Sequence, residues 1–237
     1  MTTDRADAPP DLLSVLGALQ ADFLATIPLV DPTTPVPWCG RWRVRNLVVH
    51  LARIHHWAAG QARRRQETPL GRGPFDLEDL YATCAAELHD TLTALGPDTP
   101  AWTLDDTGTA SFWHRRQTHE TLVHLWDLRT AGRLDLAAAP TLWADTVDEV
   151  VTVLQPRQER MGRMDALPAP VALVAPDVDR TWLLGATSRV DPAVTVSGPA
   201  AALALLLWGR TTPQDDRLST TGDGAALREA LGRRLTP

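Results

Sequence analysis

The chain of 237 residues contains no lysine. Every permanently basic side chain is one of 23 arginines, set against 29 acidic residues and a formal net charge of −6. That balance excludes a general nucleic-acid-binding surface. The missing lysine is read as the codon bias of a GC-rich genome, not as function. Cysteine is scarce: Cys39 and Cys84 are too few for a disulfide scaffold, and neither stands beside a histidine in sequence, so both are expected to be structural thiols. There is no glycine-rich phosphate loop, because Gly71-Arg72-Gly73 lacks the helix signature that should follow it. There is no Gly-x-Ser-x-Gly nucleophile turn. Nor is the stretch from Glu120 to His124 the zinc-protease motif, which needs two histidines four apart on one helix face with the glutamate between them; this weighs against a peptidase. Long apolar runs are also missing: the longest, near Pro199 to Trp208, is too short to span a bilayer. The opening residues 1–10 show no charged-then-apolar signal layout. The expectation is a cytoplasmic protein with neither a membrane nor a nucleic-acid partner. Histidine stops at His124, so the last half of the chain offers no imidazole ligand.

What is present supports a sizeable core. Hydrophobic residues make up 44% and charged residues 22% of the sequence. Leu12, Leu13, Val15, Leu16, Leu19, Phe23 and Leu24 recur at helical spacing, with Asp11 as a plausible N-cap. A proline-rich link, Pro28 to Pro37, leads to a second helix beginning near Arg43 and ending before the Pro69–Pro74 breaker cluster. A third helix spans about Leu77 to Leu95 and stops at Gly96-Pro97. After an extended stretch with Trp102, a fourth runs to Gly132. Four helices with apolar stripes and short links make a bundle. Leu142 to about Gly162 again reads as helix. Beyond it the texture turns β-prone, with strands near Val171–Val174, Thr181–Leu184, Ala193–Ser197 and Leu218–Thr221. Helices are expected over Pro199–Trp208 and Ala225–Leu235. The fold class is therefore an N-terminal all-α four-helix bundle over 1–138 followed by a small C-terminal α+β domain over 139–237.

Candidate chemistry sits on two of the bundle helices. In His119-Glu120-Thr121-Leu122-Val123-His124, Glu120 and His124 are one turn apart and differ by roughly 40° around a helix axis. They point the same way and make half of a metal site. His119 falls about 100° away; His114 and His119 are expected to project elsewhere. The other half comes from His50, set among Leu47, Leu51, Ile54 and Trp57 on an apolar stripe, with His55 and His56 expected at its sides. A histidine turned toward a core needs a partner there, either a metal or a backbone carbonyl. Asp127 either orients His124 from behind or is a surface charge paired with an arginine. Arg210, after the apolar run ending at Gly209, either grips a substrate carboxylate or satisfies the last carbonyls of its helix.

The segments Trp-x-Val-Arg-Asn-Leu-Val-x-His-Leu at 42–51 and Phe-Trp-x-Arg-Arg-x-x-His-Glu-Thr-x-x-His at 112–124 resemble the mycothiol-dependent maleylpyruvate isomerase family, within the wider DinB-like metalloprotein group. The resemblance covers most of the chain. It implies a DinB-like bundle with a sterol-carrier-like second domain, and a divalent metal, usually zinc, on His50, Glu120 and His124. It also implies mycothiol as the cofactor thiol. Zn(II) or another divalent metal with three protein ligands keeps an open position, where a thiol of ordinary pKa about 8.5 would lose its proton. The thiolate would then attack a small electrophile, including one that bears carboxylates, giving cis–trans isomerisation or thiol transfer. Two other readings use the same residues: a hydrolase with metal-activated water, and a non-catalytic metal- or ligand-binding bundle.

Overall fold

In a computed structural model the described residues are 11–105, 108–185 and 191–237. They divide into two units, Met1–Leu136 and Ala137–Pro237.

The first unit is built on α1 (Leu12–Thr26), α2 (Val44–Ala62), α3 (Leu77–Leu95) and α4 (Ser111–Ala131). Asp11 caps α1 by accepting from the Leu13 N–H and the Ser14 hydroxyl. Asp76 caps α3 by accepting from the Asp79 N–H at 3.0 Å, and Gly96, with φ of 72°, ends it. The Asn46 side chain accepts from the Arg43 N–H at 2.9 Å and so starts α2. Ahead of that start the proline-rich link folds back on itself. Val36 donates to the Trp42 carbonyl and Val44 to the Thr34 carbonyl, which brings Cys39 and Trp42 alongside the bundle. In the packing, α1 lies against α3 and α4, and α2 lies against the same two helices.

Three expectations need correction. The segment Leu12–Leu29, α1 plus one 3₁₀ turn, is long and apolar enough by length and composition alone to cross a membrane, although polar residues interrupt it and Pro199–Trp208 is the longer unbroken apolar run. Here α1 serves as a core helix: Leu16, Leu19 and Phe23 are buried, and Gln20 donates to the Ala85 carbonyl at 3.3 Å. Secondly, α4 has no polar face; from Phe112 to Leu128 nearly every side chain is buried, including His114 and His119. Its threonines satisfy themselves locally, Thr118 donating to the His114 carbonyl and Thr121 to the Gln117 carbonyl. Thirdly, the core histidine of α2 is His55, which is fully buried, while His50 is partly exposed. A helix packed between two neighbours buries a wider arc than a single stripe predicts.

The second unit begins with α5 (Pro140–Glu149), a π-helical stretch (Val150–Leu154) and α6 (Gln155–Arg160), one run where an unbroken α-helix was expected. Pro156 explains the difference. It has no N–H, and its ring would press on the Thr152 carbonyl of a regular helix; the Gln155 N–H instead reaches the Val150 carbonyl, widening the turn. The strands β1 (Val171–Ala175), β2 (Arg180–Leu184), β3 (Val194–Ser197) and β4 (Ser219–Gly222) form a sheet in the order β2-β1-β3-β4. Only the β1–β3 pair is parallel; Val171 faces Val194 across it and Leu184 across the β1–β2 hairpin. The apolar α7 (Ala200–Leu207) packs on α5 and β1, and α8 (Gly224–Leu231) is capped by Asp223.

His55 gives the bundle a pH dependence. Burial drives its pKa down to about 4, against a partial opposing effect of its 2.9 Å hydrogen bond to Gln117 Oε1. The folded state therefore holds it neutral. Its contribution should be intact above the unfolded value near 6.5 and fade as pH falls from there toward 4, where the unfolded chain binds more protons. Denaturation midpoints followed from pH 7 to 4 should fall, and the slope should flatten in His55→Gln. An equal slope in that variant would assign the acid sensitivity to other groups.

Candidate metal centre

Among the described residues, one group of His, Cys, Asp and Glu side chains converges. The ligand atoms of His50, Glu120 and His124 all lie within 4.8 Å of one another. Glu120 Oε1 is the hub, 3.1 Å from His124 Nε2 and 3.6 Å from His50 Nε2. The two imidazoles meet edge to face with ring centres 5.1 Å apart. Ligand atoms about 2.0–2.2 Å from a zinc ion sit about 3.3 Å from each other in a tetrahedron, so these three side chains fit such an ion with small adjustments. The donor set, two imidazoles and one carboxylate, suits zinc and its divalent neighbours.

The surroundings position each ligand. Glu120 Oε2 pairs with the Arg116 guanidinium one turn earlier on α4, a buried contact. With that oxygen taken, only Oε1 faces the imidazoles. Burial alone would raise the Glu120 carboxyl; Arg116 and hydrogen bonds from His124 and His50 outweigh it and hold the group well below the ordinary carboxylate range. Behind His124, Asp127 Oδ2 accepts from Nδ1 at 2.9 Å, and Asp127 is wholly buried. Flanked by two carboxylates, the His124 imidazole overcomes its own desolvation and has its pKa raised to about 9. A metal ion would take the place of the proton on Nε2 while Nδ1–H stays on Asp127.

Access is one-sided. The His124 and Glu120 side chains are nearly closed off, whereas that of His50 is 32% exposed. The Trp42 ring packs on His50 at 4.8 Å between centres.

Reasoning from the sequence left two neighbours unassigned. Arg116 carried a legible signal, its i, i+4 spacing to Glu120. Cys39 did not: its Sγ lies 3.7 Å from Asp127 Oδ2, beside the His124 pair, although 88 residues separate them. Gln117 on the same helix pairs through Oε1 with His55 Nδ1 of α2 at 2.9 Å. Cys84 is buried, with its thiol pushed up to about 11 by desolvation and by Glu87. In the second unit, Gly209 has φ of +67°, a conformation glycine adopts freely. Arg210 after it donates from its guanidinium to the Trp208 carbonyl at 2.7 Å, the arrangement of a cation at a helix C-terminus.

The comparisons with known proteins agree with each other. Residues 14–129 match the family description "Mycothiol maleylpyruvate isomerase N-terminal domain" and residues 141–229 match "MDMPI C-terminal domain". A crystal structure of a mycothiol-dependent maleylpyruvate isomerase superposes with a TM-score of 0.62 at 16% identity, covering 94% of this chain and 97% of that one. The structure of a histidine-to-alanine mutant of such an isomerase superposes with a TM-score of 0.57 at the same identity and coverage. At that identity the likeness establishes the fold. No curated protein matches the chain.

If the three converging side chains hold one divalent ion, His124→Ala should lose most of its metal by elemental analysis, and His114→Ala should retain it. Metal uptake by the apoprotein near neutral pH should release a proton from His124, measurable with an indicator dye. Full metal in His124→Ala together with loss in His114→Ala would refute the ligand set. Where the ion is lost, thermal stability should drop as well; a ligand at a hundredfold its Kd is worth about 2.7 kcal/mol.

Proposed function

Since the chain belongs to the mycothiol maleylpyruvate isomerase family, we propose that it is a cytoplasmic, divalent-metal-dependent enzyme that uses mycothiol to attack an electrophilic small molecule. The observation that carries this reading is the convergence of His50 Nε2, Glu120 Oε1 and His124 Nε2 at the bottom of a site open on one side. When bound there, a zinc ion supplies Lewis acidity that lets a thiol ionise well below its ordinary pKa of about 8.5.

This chain's own residues do the rest. Asp127 fixes the tautomer and orientation of His124, and Arg116 fixes the rotamer of Glu120. The buried walls exclude water around these charges and strengthen each pairing. The reacting sulfur and its target meet on the exposed His50 side. Sulfur adds to one carbon of a conjugated double bond, and the electron pair moves onto the conjugated group. The former double bond, now single, rotates. Expulsion of the thiolate restores the double bond in the other geometry, with no net oxidation or reduction. If the neighbouring carbon is protonated first, the thiol stays attached and the outcome is transfer. Arg210 is the proposed grip for a substrate carboxylate, on the chemistry of its guanidinium.

Two measurements test the proposal. In cobalt-substituted protein with Cys39 changed to Ser, added mycothiol should produce a sulfur-to-cobalt charge-transfer band and release a proton. Cys39 is the thiol to remove because it stands beside Asp127; Cys84 is buried and stays protonated. An unchanged spectrum at saturating mycothiol, in folded and fully metallated protein, would eliminate direct thiol coordination. Turnover indifferent to thiols would then favour a hydrolase with metal-activated water, and no turnover a binding protein. Separately, Arg210→Lys should raise KM for an anionic substrate about tenfold, the worth of one charge-assisted pair, with metal content unchanged. Unaltered kinetics would remove Arg210 from the site.

A further inference from the structure

A cavity of about 710 Å³ lies in the first unit away from the candidate metal ligands. Arg64, Arg65 and Glu67, which follow α2, form one wall, and Trp102 and Thr103, from the segment before α4, form another. Between His50 and Ala62 the axis of α2 rises about 18 Å, so the two sites are separate. Trp102 is 45% exposed, and its loop holds it there. The Ala101 N–H donates to the Gly108 carbonyl at 2.8 Å, the Ala110 N–H to the Thr99 carbonyl at 2.9 Å, and Trp113 Nε1 to the Trp102 carbonyl at 2.6 Å. The Trp102 ring stacks on Trp113, with 6.3 Å between centres and 28° between planes, and Trp57 meets both edge-on. An indole backed in this way presents the cavity with a rigid π surface.

The arginines supply the other half. Helix α2 ends in a Schellman turn: the Arg64 N–H reaches the Gln61 carbonyl at 3.0 Å and the Arg65 N–H the Gly60 carbonyl at 2.9 Å. Such a turn needs one left-handed residue, ordinarily glycine; here it is Arg64, with φ of 53°. A helix C-terminus favours a cation, but Arg63 already stands there, paired with Glu87 at 2.9 Å. Arg64 makes only a 3.5 Å contact to the Ala101 carbonyl, and the Arg65 guanidinium has no hydrogen bond or ion pair among the described residues. Against one acid, Glu67, the cavity keeps a net positive charge.

We propose that this cavity binds a planar aromatic anion, its ring stacked on Trp102 and its anionic group held by Arg64 and Arg65. The volume falls in the range of sites for small organic ligands. A guanidinium fork matches a carboxylate or a phosphate through two parallel hydrogen bonds. Stacking on an aromatic face tolerates many rings because each has a π face. A ring without charge would leave both guanidiniums in water, and an anion without a ring would leave Trp102 exposed. The assignment is independent of the thiol chemistry proposed above.

2-Naphthoate carries both features and is the probe. Calorimetric titration into the full chain should show a single saturable site, with binding that weakens as salt is added. 2-Naphthamide, which keeps the ring, and cyclohexanecarboxylate, which keeps the charge, should each bind at least tenfold more weakly. Arg64→Gln and Arg65→Gln should each weaken 2-naphthoate binding about tenfold. Trp102→Leu should weaken it about tenfold and Trp102→Phe by less. Arg64 and Arg65 are exposed, so their variants decide the question even where Trp102→Leu folds poorly. Adenosine monophosphate, a planar base with a phosphate, should bind with the same dependence on Trp102 and the arginines. Tighter binding than 2-naphthoate would assign the site to nucleotides, and weaker binding to aromatic carboxylates. Folded His124→Ala should bind 2-naphthoate as the wild type does. Absence of saturable binding, undiminished binding in the Arg64→Gln/Arg65→Gln protein, equal binding of 2-naphthamide, or loss of binding in folded His124→Ala would each overturn the proposal.

Discussion

The Glu120 carboxylate is the constraint on which the candidate site depends. It is buried, it is ionised, and its two oxygens are divided between Arg116 on one side and two imidazoles on the other. Neither half is stable alone. A buried carboxylate without a counter-ion costs several kcal/mol, and a buried guanidinium costs as much. The i, i+4 pair cancels that charge within a single helix, so α4 carries its own neutralised ion pair into the core. What remains is a hub oxygen aimed at His124 and His50, and Asp127 supplies the same kind of support behind His124.

That arrangement accounts for the unusual burial of α4. A helix bearing Arg116, Gln117, Glu120, His124 and Asp127 would ordinarily turn them to solvent. Here each is engaged with another group, either along the same helix or, for Gln117, with His55 of α2. Polar groups satisfied inside a protein rigidify it. The three candidate ligands are thus held on two regular helices instead of loops.

Local signals were legible wherever one helix turn decided the outcome. The cap Asp11, the stop at Gly96 and the partnership of Glu120 with His124 all follow from residue type and local spacing, and the structure contains them. The change of texture after residue 160 likewise announced the strands. His55 shows where this reasoning weakens. An apolar stripe drawn for one packing partner placed it at the side, whereas α2 has two partners and buries it completely. The π-helical stretch before Pro156 was open to anticipation from the proline, which cannot donate in a regular helix.

The sequence by itself determined the helices, the strands and the pairing of Glu120 with His124 one turn apart on α4, because those depend on backbone periodicity and capping chemistry within a few residues. Only the tertiary structure decided that His50 Nε2 comes within 3.6 Å of Glu120, that Cys39 stands beside Asp127, and that Arg64 and Trp102 line one cavity. Each of these joins segments far apart in the chain. Such distances follow from how side chains fill the space between helices, a property of the whole packing that no local pattern encodes.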